Sequence, residues 1–190
     1  MEPRRRVTDV ELMTALAHPL RGAVLRHLMA VGPRTASECA DAVGSTASNC
    51  SWHLRQLAKF GLVEPTDGPD GRQRPWRATV VGLEFGALAD DPTMRTAQLA
   101  VLGGGLREDQ VFTQRFLDRA EELPDEWRNA GALDMYSLNV TPEELVDLAA
   151  KVNALLRPYV RTIRTDAPPD APPDARPVHA SFRAFLRLEP

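Results

Sequence analysis

The chain has 190 residues, of which 43% are hydrophobic and 26% are charged, so it can bury the core of one large domain or two small ones. Glu84 interrupts the apolar residues 79–89 and glycines interrupt residues 99–106, so no stretch approaches the roughly 20 residues of a membrane span. The arginine-rich start lacks the apolar segment of a secretory signal, and two cysteines make no disulfide framework. These features predict a cytoplasmic globular protein and exclude a membrane partner.

The net charge of −3 is unevenly distributed along the chain. Residues 1–80 carry 11 basic and 8 acidic side chains, whereas residues 81–165 carry 9 basic and 14 acidic ones. Only the docking face of a nucleic-acid-binding protein must be positive. The local basic excess therefore permits nucleic-acid binding by the N-terminal region, even though the sequence pI is about 5.8.

Helical patterns dominate the first 45 residues. Apolar side chains recur at helical spacing in residues 10–17, and Pro19 predicts the first position of a second helix. Gly32 predicts the end of that helix. Thr35, followed three residues later by Glu38, predicts a capping box at the start of a third helix.

A fourth helix and a hairpin follow. Gly44 ends the third helix, and Ser45 or Thr46 is expected to cap a fourth helix over about residues 46–60. Two short helices joined by a glycine turn are typical of a helix-turn-helix. Residues 62–79 then contain two short extended runs around a Gly/Pro/Asp turn, which predicts a β-hairpin. A hairpin in this place is a wing.

The second half of the chain is predicted to be a separate helical region, residues 83–190, after a winged helix-turn-helix domain of residues 1–82. Apolar spacing over residues 93–122 favours one long helix, although three internal glycines leave two helices as the alternative. Thr141, followed by Pro142 and two glutamates, predicts the start of another helix.

The C-terminal part combines a spacer with a predicted strand. Residues 166–177 contain the repeat DAPPDAPPDA, which is typical of a polyproline II spacer. Apolar and polar residues alternate over residues 178–188, which predicts a half-buried strand paired with residues 133–140. The predicted fold is therefore mainly α with small β elements: a winged helix-turn-helix domain plus a helical C-terminal region with a small two-stranded sheet.

One face of the fourth helix carries the candidate functional side chains. On a helical wheel, the side opposite Cys50, Leu54 and Leu57 is rich in donors and acceptors that can bind base edges and phosphates. The alternative is a solvated helix face, which Trp52 disfavours because a free surface seldom carries an indole. Trp52 itself either contacts DNA or lies under the wing or a neighbouring helix. The predicted DNA-binding residues, two wing arginines included, are Thr46, Ser48, Asn49, Ser51, Trp52, His53, Arg55, Gln56, Lys59, Arg72 and Arg74.

Two stretches resemble the ArsR/SmtB-type winged helix-turn-helix regulators. ALAHPLRGAVLRHL, residues 15–28, resembles the family's opening LAxPxRxxIL, and TASECADAVGSTASNCSWHLRQLAKFGLV, residues 35–63, resembles its signature SxHLxxLxxxGLV. The continuation GRQRPWR, residues 71–77, is similar to an actinobacterial-type subgroup with a longer helical C-terminal region. The resemblance implies a cytoplasmic, dimeric transcriptional regulator, usually a repressor, that an inducer releases from its operator.

The chain departs from the family at its metal sites. Arsenic-sensing members have a Cys-x-Cys pair where this sequence has Thr35, Ala36 and Ser37. Cys39 and Cys50 fall on the apolar stripes of their helices, which favours core positions. The four histidines have no metal-ligand spacing, although His18 could help to cap the helix that Pro19 begins. We therefore expect no metal ion and no cofactor.

The motifs HExxH, GxSxG and GxxxxGK[ST] are absent from the sequence, so an enzyme is not expected. The expected function is sequence-specific binding of double-stranded DNA by a homodimeric repressor on a pseudo-palindromic operator. The recognition helix would read the major groove, and the wing would contact the backbone or the minor groove. The alternative is a ligand-responsive protein-interaction module that has lost specific DNA binding, which the basic side chains of the helix and the wing disfavour.

The sequence leaves two alternative roles for each of two segments. The arginines of residues 4–6 are either a flexible arm on DNA or a solvated tail. Residues 83–190 either enlarge the dimer interface, which is favoured, or form a pocket for a small organic effector. The aromatic residues that would line this pocket are Phe112, Phe116, Trp127, Tyr136 and Phe182.

Overall fold

The computed structural model describes residues 4–67, 74–160 and 174–188. Its helices are α1 (Val10–Ala17), α2 (Pro19–Val31), α3 (Ala36–Val43), α4 (Ala47–Lys59), α5 (Pro92–Arg119), α6 (Asp125–Ala130) and α7 (Pro142–Leu156). Its strands are β1 (Arg5–Arg6), β2 (Val63–Pro65), β3 (Trp76–Ala78) and β4 (Leu83–Glu84), and 3₁₀ turns lie at Ala120–Glu122 and Arg157–Tyr159. No helix within the described ranges is long and apolar enough to cross a membrane. The prediction of a mainly α fold with small β elements is confirmed.

The chain divides into two compact units. The described residues of Met1–Gly105 and Tyr159–Val178 form the first unit, and those of Leu106–Pro158 and His179–Pro190 form the second. The division lies inside α5. The predicted boundary after residue 82, between a DNA-binding domain and a C-terminal region, concerns function and stays a prediction.

The first four helices begin and end at the residues that the sequence indicated. Pro19 is the first residue of α2, and Gly32, with a φ of 86°, follows its last residue. Thr35 and Glu38 form both hydrogen bonds of the capping box at the start of α3. The side chain of Asp9 accepts a hydrogen bond from the Leu12 backbone at 2.7 Å and caps α1.

The core of the first unit lies between these helices. Its largest fully buried side chains include Met13 of α1, Leu25 and Leu28 of α2, and Leu54 and Leu57 of α4. Met13, Leu28, Leu54 and Leu57 lie on the apolar stripes of the helical patterns, whereas Val10, at the start of the first pattern, is exposed. Burial of each fully buried side chain contributes roughly 1.5–3 kcal/mol.

The predicted wing is confirmed as an antiparallel pair of strands. In the β2–β3 register, Val63 lies opposite Ala78 and Pro65 lies opposite Trp76. The backbone of Arg34, before α3, forms a bridge to the outer side of β3, donating to the Trp76 carbonyl at 3.0 Å and accepting from the Trp76 amide at 2.8 Å. The hairpin tip, residues 68–73, lies outside the described residues.

A second small sheet was not predicted. β1 runs parallel to β4, with Arg5 opposite Leu83, and the amides of Arg5 and Val7 donate to Gly82 and Glu84 carbonyls at 3.0 and 2.9 Å. Val7 is 2% exposed. The segment of residues 4–6 is therefore neither a flexible arm nor a solvated tail. A two-residue strand is too short to show a hydrophobic period, which is why the sequence did not indicate it.

Within the region of residues 93–122, one long helix, α5, extends to Arg119 and a 3₁₀ turn follows it, so the favoured single helix is confirmed. Near its start, the Gln98 side chain is 2% exposed and holds the preceding loop. Its oxygen accepts from the Ala89 amide at 2.8 Å, and its nitrogen donates to the carbonyls of Phe85 and Ala87 at 3.0 Å each. These bonds satisfy the buried amide of Gln98.

The helix predicted after Thr141 is confirmed as α7, including the capping box between Thr141 and Glu144. The short helix α6, which follows Pro124, was not predicted. It has only six residues, fewer than two helical turns, and therefore shows little apolar periodicity.

The two-stranded sheet predicted for the C-terminal region is wrong. No residue of 131–141 or 174–188 lies in a strand. Met135, Phe185 and Leu188 are 96%, 78% and 82% exposed, so neither segment buries an apolar face within this chain. A strand needs both a partner edge and a face to bury, and alternation supplies neither. Of the predicted spacer, residues 166–173 lie outside the described residues.

Candidate nucleic-acid interface

The turn of the helix-turn-helix places the start of α4 at the surface. Gly44 adopts a left-handed conformation with a φ of 65°, in which a side chain would be strained, and the Ser45 amide then donates to the Ala40 carbonyl at 3.0 Å. The hydroxyl of Thr46 accepts from the Asn49 amide at 3.2 Å and caps α4. Of the two caps considered from the sequence, Thr46 is the one used.

Burial fixes which face of α4 points outward. Cys50, Leu54 and Leu57 are completely buried. On the opposite side, Thr46, Ser48, Asn49, Trp52, Arg55 and Lys59 are exposed and Ser51 and Gln56 are half-buried. The structure therefore brings these predicted site residues together on one surface, here called the outer face of α4.

The polar groups of the outer face are hydrogen-bonded to one another. The Asn49 amide nitrogen donates to the Ser45 hydroxyl at 3.1 Å, and Arg55 donates to the Ser51 hydroxyl at 2.7 Å. Lys59 donates to the Gln56 side-chain oxygen at 3.2 Å. A ligand that uses these groups must exchange such bonds for its own, so the net gain per contact is smaller than an isolated hydrogen bond would give.

Trp52 lies partly on the surface. Its indole packs edge-on against the ring of His53, with ring centroids 4.8 Å apart, while 47% of the residue remains exposed. The indole is thus not buried beneath the wing or a neighbouring helix. Its exposed part is available to a partner of the outer face.

His53 does not belong to the outer face, which corrects the sequence prediction. It is 3% exposed, because it follows Cys50 by three residues and precedes Leu54, and both of these positions are buried. Its ring lies 4.5 Å from the ring of His18, and its Nδ1 is buried with no hydrogen-bond partner among the described residues. Burial, and then the charges of His18 and Arg21, lower the pKa of His53.

His18 also differs from its prediction. It is the N-cap residue of α2, but its side chain makes no capping hydrogen bond. The ring instead contacts His53, so His18 joins the start of α2 to the buried side of α4.

The wing contributes fewer free charges than its sequence suggests. Arg77 donates to the Glu64 carboxylate across the β2–β3 pair at 2.7 Å, so these two charges offset each other. Arg74 is exposed and lies two residues before β3. Arg72 lies outside the described residues.

The thiols lie in the core, as the sequence favoured. Cys39 and Cys50 are both fully buried. Burial raises the pKa of Cys39 to about 11, and it also raises the pKa of Cys50, where a hydrogen bond with Ser45 acts in the opposite direction. Both groups are therefore thiols at neutral pH rather than thiolate ligands. Within the described ranges, no three His, Cys, Asp or Glu side chains converge on a metal-sized site.

Of the five aromatic residues considered for an effector pocket, three are exposed, and Phe116 and Trp127 are half-buried. In the second unit, Phe112 packs against the ring of His179 with centroids 4.8 Å apart. Asp109 of α5 binds His179 at 2.6 Å and also pairs with Arg183, so the C-terminal segment is attached to α5. Tyr136 and Phe182 are 79% and 44% exposed, which leaves them on the surface rather than around a cavity.

Two residues next to α4 were missed from the sequence. Arg5 of β1 donates from its guanidinium to the carbonyl of Phe60, directly after α4. Arg34 pairs its backbone with β3 and so connects the wing to the start of α3. Neither position carries a motif, because each contact depends on a segment far away in sequence.

A family profile described as a helix-turn-helix domain matches residues 16–66 of this chain. The matched segment runs from the end of α1 to just beyond β2, and so includes the whole outer face of α4. A comparison with curated proteins finds no match.

Solved structures give a distant similarity. A probable transcriptional regulator from Pseudomonas aeruginosa shares 16% identity and a TM-score of 0.33, over 76% of this chain and 89% of that one. A MarR family transcription regulator also has 16% identity and a TM-score of 0.33, over 83% and 82%. A mutant of ZitR from Lactococcus lactis has 11% identity and a TM-score of 0.30, over 74% and 73%. At these values the similarities carry no functional argument for this chain.

Proposed function

We propose that this protein is a cytoplasmic, homodimeric transcriptional repressor of the ArsR/SmtB type that binds a pseudo-palindromic operator in double-stranded DNA. The observation that supports it best is the polar outer face of α4, carried by a helix whose other face is completely buried. Such a helix presents base-reading side chains on a rigid support, next to a wing. The matched helix-turn-helix profile supports the DNA-binding part of this proposal, and the quoted family motifs support the ArsR/SmtB type.

In the proposed complex, α4 lies in the major groove. Ser48 and Asn49, near its N-terminal end, and Gln56, two turns later, contact base edges, where an Asn or Gln pairs best with adenine. Arg55 and Lys59 neutralise phosphates and hold the helix in register. Each good base contact contributes about 1–3 kcal/mol of discrimination, from which the cost of breaking the existing side-chain bonds must be subtracted.

The wing acts beside the groove that α4 occupies. Because Arg77 is already paired with Glu64, we assign the DNA contact to Arg74, together with Arg72. An arginine at this place neutralises a backbone phosphate or enters the adjacent minor groove. It adds affinity for all sequences and a steeper salt dependence, but little preference among them.

Two arguments support the proposed dimer: exposed apolar side chains and the geometry of a pseudo-palindromic operator. Leu99 and Leu102 follow one another at helical spacing on α5 and are 53% and 44% exposed. Val10 of α1 is 39% exposed. Exposed apolar side chains of this kind are typical of an interface. A two-fold dimer would also place two α4 helices on half-sites about one helical turn apart.

The inducing signal in this proposal acts through residues 83–190 and not through a metal bound by thiols. The supporting observation is that both cysteines are buried and protonated. Zinc, nickel, cadmium and arsenite, added to the DNA complex, should leave binding unchanged. Metal-dependent release that is lost in the Cys39→Ala/Cys50→Ala double variant would contradict this part of the proposal.

The DNA-binding proposal can be tested by selecting binding sites from a pool of random duplexes and then titrating the selected site at several salt concentrations. Asn49→Ala or Gln56→Ala should weaken the selected site by about 1–3 kcal/mol and relax the base preference at one position. Arg74→Ala should weaken all sequences equally and lower the salt slope by about one.

Arg107→Ala, which removes an exposed arginine of α5 distant in sequence from α4 and the wing, is the matched control and should leave the slope unchanged. If the wild-type protein enriches no sequence over random DNA, specific DNA binding is refuted and the protein-interaction alternative takes its place. Sedimentation of a monomer at micromolar concentration would refute the dimer, and Leu102→Glu should produce that monomer if the α5 surface forms the interface.

A further inference from the structure

The N-terminal strand places a cation at the end of the proposed recognition helix. Arg5 is fixed by the pairing of β1 with β4, in which its amide donates to the Gly82 carbonyl at 3.0 Å. Its guanidinium donates to the carbonyl of Phe60, the C-cap residue of α4. This hydrogen bond connects β1 with the end of α4, two segments that are 55 residues apart in sequence.

The end of α4 needs such a partner. The last carbonyls of a helix have no intrahelical donor and carry the negative end of the helix dipole, so a cation there is stabilising. Outside donors satisfy two successive carbonyls: Arg5 binds Phe60, and the Thr79 hydroxyl donates to the Gly61 carbonyl at 2.6 Å. Thr79 directly follows β3, and its amide donates to the Leu62 carbonyl at 3.0 Å. The end of α4 is therefore tied both to the N-terminal strand and to the wing.

The strand geometry separates Arg5 from its neighbour. Successive side chains of a strand point to opposite faces, so Arg5 points towards α4 and Arg6 points away from it. The terminal nitrogen Nη1 of Arg5 would lie 3.8 Å from a Cβ at Gly61, whereas Nη2 of Arg6 would lie 3.7 Å from a Cβ at Gly86. Arg5 is half-buried and Arg6 is exposed. The guanidinium of Arg5 is thus used inside the protein, and Arg6 is a control of the same charge on the same strand.

We propose that Arg5 is a positioning residue for DNA recognition, which holds the end of α4 against the β1–β4 pair and so sets the orientation of α4 without touching DNA. This inference rests on the proposed function. It assigns the N-terminal arginine a role that differs from a DNA-contacting arm, because a phosphate contact and a helix-end contact change the salt dependence of binding in different ways. Loss of a phosphate contact lowers the salt slope, whereas loss of a positioning contact lowers affinity and leaves the slope unchanged.

The test uses the full chain and its selected DNA site, with Arg5→Ala, Arg5→Lys and the control Arg6→Ala. We expect Arg5→Ala to weaken the selected site about tenfold with an unchanged salt slope, Arg5→Lys to recover most of that loss, and Arg6→Ala to stay within about threefold. Amide hydrogen exchange gives a readout without DNA. Exchange at Gly61 and Leu62 should be faster in Arg5→Ala, restored in Arg5→Lys and unchanged in Arg6→Ala.

The outcomes separate this inference from the proposed function. A wild-type protein without sequence preference refutes the proposed function, while the exchange data still report whether Arg5 holds the end of α4. A wild-type protein with preference, combined with unchanged affinity in Arg5→Ala, overturns the positioning role. A salt slope lowered by about one in Arg5→Ala also overturns it, since Arg5 would then be a phosphate contact. If Arg5→Ala does not fold, Arg5→Gln decides, because it keeps a hydrogen-bond donor but removes the charge: an unchanged salt slope supports the role, and a slope lowered by about one overturns it.

Discussion

Gln98 offers a sharp test of how the first unit is held together. Its buried side chain makes three hydrogen bonds to the backbone of the loop before α5, at 2.8, 3.0 and 3.0 Å. At about 1 kcal/mol net for each bond, Gln98→Ala should cost up to ~3 kcal/mol. The loop carbonyl of Ala87 belongs to an exposed residue and water can satisfy it, which reduces the expected loss to about 2–3 kcal/mol.

The first unit supplies a matched control. Gln56 of α4 lies at the surface, and its side-chain oxygen accepts one hydrogen bond, from Lys59 at 3.2 Å. The identical change, Gln56→Ala, removes the same atoms but leaves no buried group unpaired. Its expected cost is below about 0.5 kcal/mol, as for other exposed pairs along a helix.

The assay is urea unfolding followed by tryptophan fluorescence. Trp127→Phe in the background removes the indole of the second unit, so that Trp52 and Trp76 report on the first unit. With a slope of about 2 kcal/mol per molar urea, Gln98→Ala should lower the midpoint by about 1–1.5 M. If Gln98→Ala and Gln56→Ala differ by less than about 0.5 kcal/mol, the reasoning about the buried amide is refuted.

Three further predictions concern the helix-turn-helix. Burial lowers the pKa of His53 below its ordinary value of 6.5, so on acidification the unfolded chain takes up this proton before the folded chain does. The free energy of unfolding should therefore be highest above pH 6.5 and should decrease as the pH falls below it. In His53→Phe, this decrease should be smaller when unfolding is measured at several pH values. His27, whose pKa is also lowered by burial, leaves a residual slope. Iodoacetamide should label Cys39 and Cys50 at least about 100-fold more slowly in the native than in the urea-unfolded protein, and similar rates would contradict their burial. Thr46→Ala should cost about 1 kcal/mol in thermal or urea unfolding through the lost cap of α4, and an unchanged midpoint would contradict the cap.

Local signals were sufficient for the elements that make the outer face of α4. The proline at the start of α2, the capping box of Thr35 and Glu38, and the glycines at positions 32 and 44 all act through contacts within a few residues, and each indicated a boundary close to the observed one. The apolar stripe of α4 likewise indicated its buried positions Cys50, Leu54 and Leu57, because a side chain's direction on a helix follows from its place in the sequence.

Helical periodicity gave a wrong prediction for His53, which lies at the edge of the apolar stripe of α4. His53 was assigned to the outer face because it lies on a flank of the wheel, where burial depends on what packs there. In the structure, His18 fills that place and the ring of His53 is enclosed. The period of a helix specifies an angle, but the width of the buried sector is set by the neighbouring elements.

The sequence by itself determined the helices of the first unit, the wing and the side of α4 that is buried. It did not determine the pairing of β1 with β4, the contact of Arg5 with Phe60 or the irregular C-terminal segment. Alternation over residues 178–188 predicted a strand, yet the segment instead meets α5 through His179 and Asp109. The physical reason is that capping and periodicity are properties of adjacent residues, whereas a strand or a helix-end contact exists only when a distant segment supplies the other half of the hydrogen bond.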